Sequence, residues 1–162
     1  SRDIFRNVFS KKDIINFKMG FSKILISVDD SPYSIEAVKK GIELAKLNNA
    51  EIGLIHVIDE SQTVGNIDAG ISPADALVIL ERASDKLIEG LRNLYFHNLT
   101  MHQFSPVGKP YKEILKTAER WGAELIITGT HRTTGWKRLI IGSISEDIIR
   151  HSKIPVMVVP LV

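Results

Sequence analysis

Lys23-Ile24-Leu25-Ile26-Ser27-Val28-Asp29-Asp30-Ser31-Pro32 decides how the chain is read. Its first six residues are β-branched or apolar apart from Lys23 and Ser27, as befits a strand covered on both faces of a parallel sheet. The next four change character at once. Asp29 and Asp30 favour a turn, Ser31 can cap a helix, and Pro32 suits the first helical position. The helix predicted from there carries Ile35, Val38, Ile42 and Ala45 at three- and four-residue spacing, with Glu36, Lys39, Lys40 and Glu43 turned to water. Asn48-Asn49 ends it.

The same alternation repeats outward from this unit. Ile52-Gly53-Leu54-Ile55-His56-Val57-Ile58 reads as a second, central strand, apolar except for His56. Residues 59–72 are rich in turn formers (Asp59, Gly65, Asn66, Gly70), and so long a connection inside a small domain is more often functional than idle. Ala76, Leu80, Ala83, Leu87, Leu91 and Leu94 mark a long amphipathic helix, and Leu99 to Val107 a third strand. Pro110 opens a helix that Gly122 closes. Glu124 to Gly129 form a fourth strand, Ser143 and Glu146 have the spacing of a capping box for a last helix, and Val156 to Val159 form a fifth strand. Five strands joined by helices with right-handed crossovers give a three-layer α/β/α sandwich around a doubly wound parallel sheet.

Composition limits the function classes. The 162 residues are 44% hydrophobic and 25% charged, which suits one domain with a substantial core. Net charge is +2. Arg2, Arg6, Lys11, Lys12 and Lys18 face only Asp3 and Asp13 in the first eighteen residues, so the rest of the chain is nearly neutral and no nucleic-acid partner is expected. The absence of cysteine excludes disulfides, thiolate metal sites and a cysteine nucleophile. No apolar stretch has the length of a membrane span, and Ile14-Ile15-Asn16-Phe17 is too short for a signal-peptide core, so a cytoplasmic protein is expected.

Ligands of such sheets bind beyond the carboxyl ends of the strands, where strand order reverses. The loop after the fourth strand runs from Gly129 through His131, Arg132, Gly135, Lys137 and Arg138 to Gly142-Ser143 and into a helix N-terminus. Glycines let a backbone approach a ligand closely, and the free N–H groups of a first helical turn favour anions. A phosphate cradle is one reading. The plainer alternative is that Gly129 and Gly135 serve turns and Ser143 is a cap. No Ser-His-Asp order, paired carboxylate or histidine pair at metal spacing accompanies His131, so neither a catalytic residue nor a metal ligand is assigned. Asp29 is expected to accept hydrogen bonds, Asp30 to be solvated, and His56 to be a hydrogen-bonded core residue.

Gly129-x2-Arg132-x9-Gly142-Ser143 resembles the G-x2-G-x9-G-[S/T] nucleotide signature of the universal stress protein family. The resemblance continues in Ile24 to Asp29, in His56-Val57, in Gly108-Lys109-Pro110 and in Ile154 to Val159, and spans about residues 20–162 in family order. It implies an adenine-nucleotide-hydrolase-like sheet of strand order 3-2-1-4-5, a homodimer, and in many members ATP between the first and fourth strands. Asp29-Asp30 could help hold Mg2+ with the phosphates, and an apolar C-terminal strand at the sheet edge invites pairing with a second copy. By position, Val28 and Asp29 would lie at the ribose or adenine end and Val57 beside the adenine. Gly129, His131, Gly142, Ser143 and Ile144 would line the phosphate and ribose path.

Arg132 departs from the pattern, standing where the signature has its second glycine. Its side chain either blocks the triphosphate or pairs with phosphate oxygens through its guanidinium. Residues 1–19 precede the resemblance. Ile4, Phe5, Val8 and Phe9 share one face of a predicted helix, expected to pack on the domain or on a second subunit, with membrane-surface binding as the alternative. The leading expectation is a dimeric nucleotide-binding stress or regulatory switch acting on an unidentified protein partner, with hydrolysis slow or dependent on another protein. The alternative is a nucleotide-free interaction protein whose cleft Arg132 fills. An adenylating enzyme is disfavoured, because Ser27-Val28-Asp29-Asp30-Ser31 lacks the loop such chemistry requires.

Overall fold

A computed structural model describes residues 20–65, 68–97, 99–130 and 143–161. The strands are β1 (Lys23–Ser27), β2 (Glu51–Ile55), β3 (Ile58–Asp59), β4 (Met101–Phe104), β5 (Val107–Gly108), β6 (Leu125–Thr130) and β7 (Val156–Pro160). The helices are α1 (Pro32–Asn48), α2 (Pro73–Tyr95), α3 (Pro110–Trp121) and α4 (Ser143–His151). The main sheet runs β4-β2-β1-β6-β7, all parallel, which is 3-2-1-4-5 when its five strands are counted along the chain. The sequence expectation of a doubly wound sandwich holds.

Alternation along β1 builds the layers. Ile24, Ile26 and Val28 pack with Val38 and Ile42 of α1 and Ile88 and Leu91 of α2 on one face. Leu25 turns to the other face, with Ile114 and Ala118 of α3 and Ile148 of α4. Each face is closed by two helices, so β1 and β6 are sealed on both sides, and Ile24, Leu25, Ile26, Ile126 and Ile127 have no exposed surface.

Local signals set the ends of these elements. Pro32 opens α1, and Asn49, in the left-handed region at φ 51°, closes it. Pro110 opens α3, and Gly122 at φ 76° closes it, a backbone conformation that costs glycine nothing. A capping box does occur, but on α2. The Ser72 hydroxyl accepts from the Asp75 amide while the Asp75 carboxylate accepts from the Ser72 amide. Ser143, expected as a cap, is already the first residue of α4, and Glu146 pairs with Arg150 at 2.6 Å rather than reaching back.

Three readings from the sequence need correction. The second run does not continue to Ile58. It leaves the main sheet after Ile55, and β3 pairs with β5 in a separate two-stranded ribbon. Periodicity could not show this, because Val57 and Ile58 continue the apolar run, and the backbone stays paired through the break, with His56 N–H donating to Phe104 O (3.0 Å) and Ile58 N–H to Pro106 O (2.9 Å). The third strand is likewise split into β4 and β5. The buried stripe of α2 is Ala76, Ser84, Ile88 and Leu91, whereas Leu94 is 68% exposed.

Ile88→Ala is expected to lower unfolding free energy by about 2–5 kcal/mol in urea titration, the usual cost of emptying a sealed core site. Leu94→Ala, on the same helix, should stay within about 0.5 kcal/mol. The reverse order would mean that the face of α2 is assigned wrongly.

Candidate functional site

Strands β1 and β6 are neighbours, yet the helix after β1 covers one face of the sheet and the helix after β6 covers the other. Their exits diverge and leave a crevice at the carboxyl ends of the strands. It has a volume of about 580 Å³. The ends of β1, β2 and β6 and the first turns of α1 and α4 form its floor and sides. Leu80, Ala83 and Leu87 of α2 and Ile114 of α3 give it apolar walls.

Six residues singled out from the sequence, Val28, Asp29, Val57, Gly129, Ser143 and Ile144, line this one crevice. They come from four separate segments that only the sheet order brings together. His131, Arg132 and Gly142, with Gly135, Lys137 and Arg138, lie outside the described residues.

Asp29 organises the turn between β1 and α1. Its Oδ1 accepts from the Ser31 amide (3.0 Å), the Ser34 hydroxyl (2.6 Å) and the Ser31 hydroxyl, while its own amide donates to Ser34 Oγ (2.7 Å). Asp29 is thus an acceptor, as expected, and Asp30 is exposed. Ser31 holds the N-cap position but turns its hydroxyl to Asp29 and makes no side-chain bond to the helix, contrary to the capping expectation. The hydroxyl donates its proton to the Asp29 carboxylate in a charge-assisted bond, and in that orientation its oxygen accepts from no first-turn amide.

Gly129 has a structural reason of its own. A Cβ there would come 2.5 Å from the Tyr33 carbonyl oxygen at the start of α1. The glycine therefore lets α1 lie close against β6, whatever the crevice holds. Ser145, buried in the first turn of α4, donates to Gly129 O at 3.0 Å and sits 3.3 Å from Thr128 Oγ1, tying α4 to the end of β6.

His56 lies where β2 leaves the sheet. It is half-buried, and its Nδ1 is 2.8 Å from the hydroxyl of Ser84, a fully buried residue in the middle of α2. Ser84 in turn donates to Ser105 Oγ at 3.1 Å. The hydrogen-bonded role expected for His56 holds, and the residue also lines the crevice. Sequence reading missed Ser84 and Ser105. The available signal was a serine inside the apolar stripe of an otherwise regular helix.

The electrostatics of the crevice are uneven. Asp29, Asp30 and Asp59 stand on the β1 and β2 side, and the N-terminus of α4 stands on the β6 side. No lysine or arginine lines the crevice among the described residues. Nor do three or more histidine or carboxylate side chains gather to hold a metal ion among them.

The crevice lies at the strand reversal of a doubly wound α/β domain, the place where sheets of this class hold small ligands. The chain belongs to the universal stress protein family, whose family pattern it matches over residues 20–160. It is 33% identical over 139 residues to universal stress protein MJ0531 of Methanocaldococcus jannaschii, covering 86% of this chain and 82% of that one. The solved structure of MJ0577, a universal stress protein of the same organism, is 29% identical with a TM-score of 0.73, covering 87% of this chain and 96% of that one. A universal stress protein of Archaeoglobus fulgidus solved in complex with dAMP shares the fold at 17% identity and a TM-score of 0.59, covering 86% and 98%. No helix among the described residues is long and apolar enough to cross a membrane.

Burial pushes the His56 pKa below the ordinary 6.5, against the opposing pull of the Asp29 and Asp30 carboxylates. The unfolded chain therefore takes up the proton first. Stability is complete above about pH 6.5 and falls as the pH drops below it. Urea midpoints measured from pH 7.5 to 5 should decline more steeply for the wild type than for His56→Gln. Parallel curves would remove His56 as the cause.

Proposed function

We propose that the protein binds an adenine nucleotide, ATP foremost, in the crevice between β1 and β6, and that binding regulates its contacts with a protein partner. The observation that carries this reading is the convergence of Val28, Asp29, Val57, Gly129, Ser143 and Ile144 on one cleft of about 580 Å³, a volume suited to a nucleotide. The dAMP complex of the Archaeoglobus fulgidus protein supports the choice of ligand class.

The charge distribution orients the ligand. Phosphates are repelled by Asp29, Asp30 and Asp59 and attracted by the first-turn amides of α4, so the phosphate chain runs toward Ser143 and Ile144. The base then lies at the β2 end, between Val57 and the apolar wall of α2. Bound Mg2+ would be held chiefly by phosphate oxygens, since the Asp29 Oδ1 is already engaged by three donors. Arg132 would add a guanidinium to the same phosphates.

Asp59 and Gln62, at the start of the 59–72 connection, both line the crevice. A ligand that touches them biases that connection, which is the switch in this reading. The other element is β7, an edge strand of the sheet whose residues Val156 to Val159 are half-buried. Pairing of β7 with its copy would cover the edge and form a homodimer in the cytoplasm.

Calorimetric titration of ATP with Mg2+ into protein freed of bound nucleotide tests the reading. Micromolar binding by the wild type is expected, weakened at least tenfold by Arg132→Gly. No binding by the wild type, restored by Arg132→Gly, would show that the arginine fills the site and that the protein acts without a nucleotide.

A further inference from the structure

Aliphatic side chains stand open to solvent around the start of α2. Val64, Val78 and Ile79 are 71%, 44% and 54% exposed. Gly65 rests against the backbone from Ile71 to Pro73, where a Cβ would come 2.6 Å from the Ile71 oxygen, so Val64 is held beside the first turn of α2. The charge around them has one sign. From Asp59 to Asp85 the only basic residue is Arg82, against Asp59, Glu60, Asp68, Asp75, Glu81 and Asp85, and the last five are exposed. Elsewhere Glu36, Glu43, Glu113 and Glu146 each pair with a lysine or arginine three or four residues away. Among the described residues those five carboxylates form no such pair.

The first twelve residues of the chain have the complementary pattern. Spacing puts Ile4, Phe5, Val8 and Phe9 on one side of a helix, and Arg2, Arg6, Lys11 and Lys12 face only Asp3. This segment lies outside the described residues. The described chain starts at Gly20, and the Phe21 amide donates to Asn48 at the end of α1 (3.2 Å), which places the start at the amino ends of the strands. Tyr95 ends α2 at that same end, and Val78 lies seventeen residues back along the helix, a rise of about 26 Å. The ten residues 10–19 span up to about 33 Å when extended, so the segment reaches. Tethering also gives it an effective concentration of about millimolar, above that of a second copy in dilute solution.

We propose that residues 1–12 dock on this surface of their own chain, with Ile4, Phe5, Val8 and Phe9 against Val64, Val78 and Ile79 and the basic side chains over Glu81 and Asp85. Burial of the apolar groups supplies most of the affinity, since exposed ion pairs contribute little singly, and the opposite charges decide where the segment settles. The docking needs no ligand in the crevice. It restrains the connection whose Asp59 and Gln62 line that crevice.

The chain has no cysteine, so Asn7→Cys gives the full chain a single attachment point for a nitroxide. Amide peaks of Val64, Val78 and Ile79 should lose most of their height relative to the same sample with the nitroxide reduced, while Leu115 and Ile149, on the other face of the sheet, keep theirs. Glu81→Lys with Asp85→Lys should restore the three peaks. Phe5→Ser with Phe9→Ser should do the same without touching the domain. Unchanged peak heights at Val64, Val78 and Ile79 in the labelled wild type, or losses that survive both pairs of substitutions, overturn the assignment. Mixing isotope-labelled protein without nitroxide and nitroxide-labelled protein without isotope tests the source. Losses in that mixture would place the segment on a second copy and overturn docking within the chain. Three unaffected amides together with sedimentation of the protein on anionic phosphatidylglycerol vesicles would make residues 1–12 a membrane-binding segment, and overturn it too.

Discussion

The constraint on which the rest depends is the side-by-side pairing of β1 and β6 with their following helices on opposite faces of the sheet. A parallel strand buried on both faces needs a helical cover on each side, and right-handed crossovers dictate where those covers lie. Once β1 feeds α1 on one face and β6 feeds α4 on the other, the backbone must part between them. The crevice is therefore a consequence of topology. The side chains decide only what it can hold.

That constraint also explains why some residues carry two roles. Gly129 keeps α1 against β6, because a Cβ would meet the Tyr33 backbone, and the same position borders the crevice. Asp29 both fixes the turn into α1 and presents charge to the cleft. Substitution at either position would disturb the fold and the site together. Ile144, exposed in the first turn of α4 while lining the crevice, separates the two effects more cleanly.

Much of the fold was legible because its signals are local and repeated. The apolar run of β1, the prolines opening α1 and α3, and the closing residues Asn49 and Gly122 follow from backbone chemistry alone. Where β2 leaves the sheet was not legible, since Val57 and Ile58 continue the apolar run beyond His56 and the backbone stays hydrogen-bonded across the break. The face of α2 was misjudged at Leu94 for a related reason. Spacing identifies an apolar stripe but not which of its members meet the sheet, and Ser84, outside that spacing, is buried where Leu94 is not. The motif residues of the site were found through a family resemblance, and the sheet order brings six of them together. The chain of His56, Ser84 and Ser105 joins three distant segments, and no pairwise spacing in the sequence encodes it.

The proposed nucleotide site is the crevice at the ends of β1, β2 and β6. Backbone amide spectra of isotope-labelled protein, recorded with and without Mg-ATP, test it most directly. Shifts are expected at Val28, Asp29, Val57, Gly129, Ser143 and Ile144, with Glu51, His102 and Trp121 at the opposite end of the sheet unmoved. Unchanged spectra at saturating nucleotide, or shifts confined to that opposite end, would contradict it.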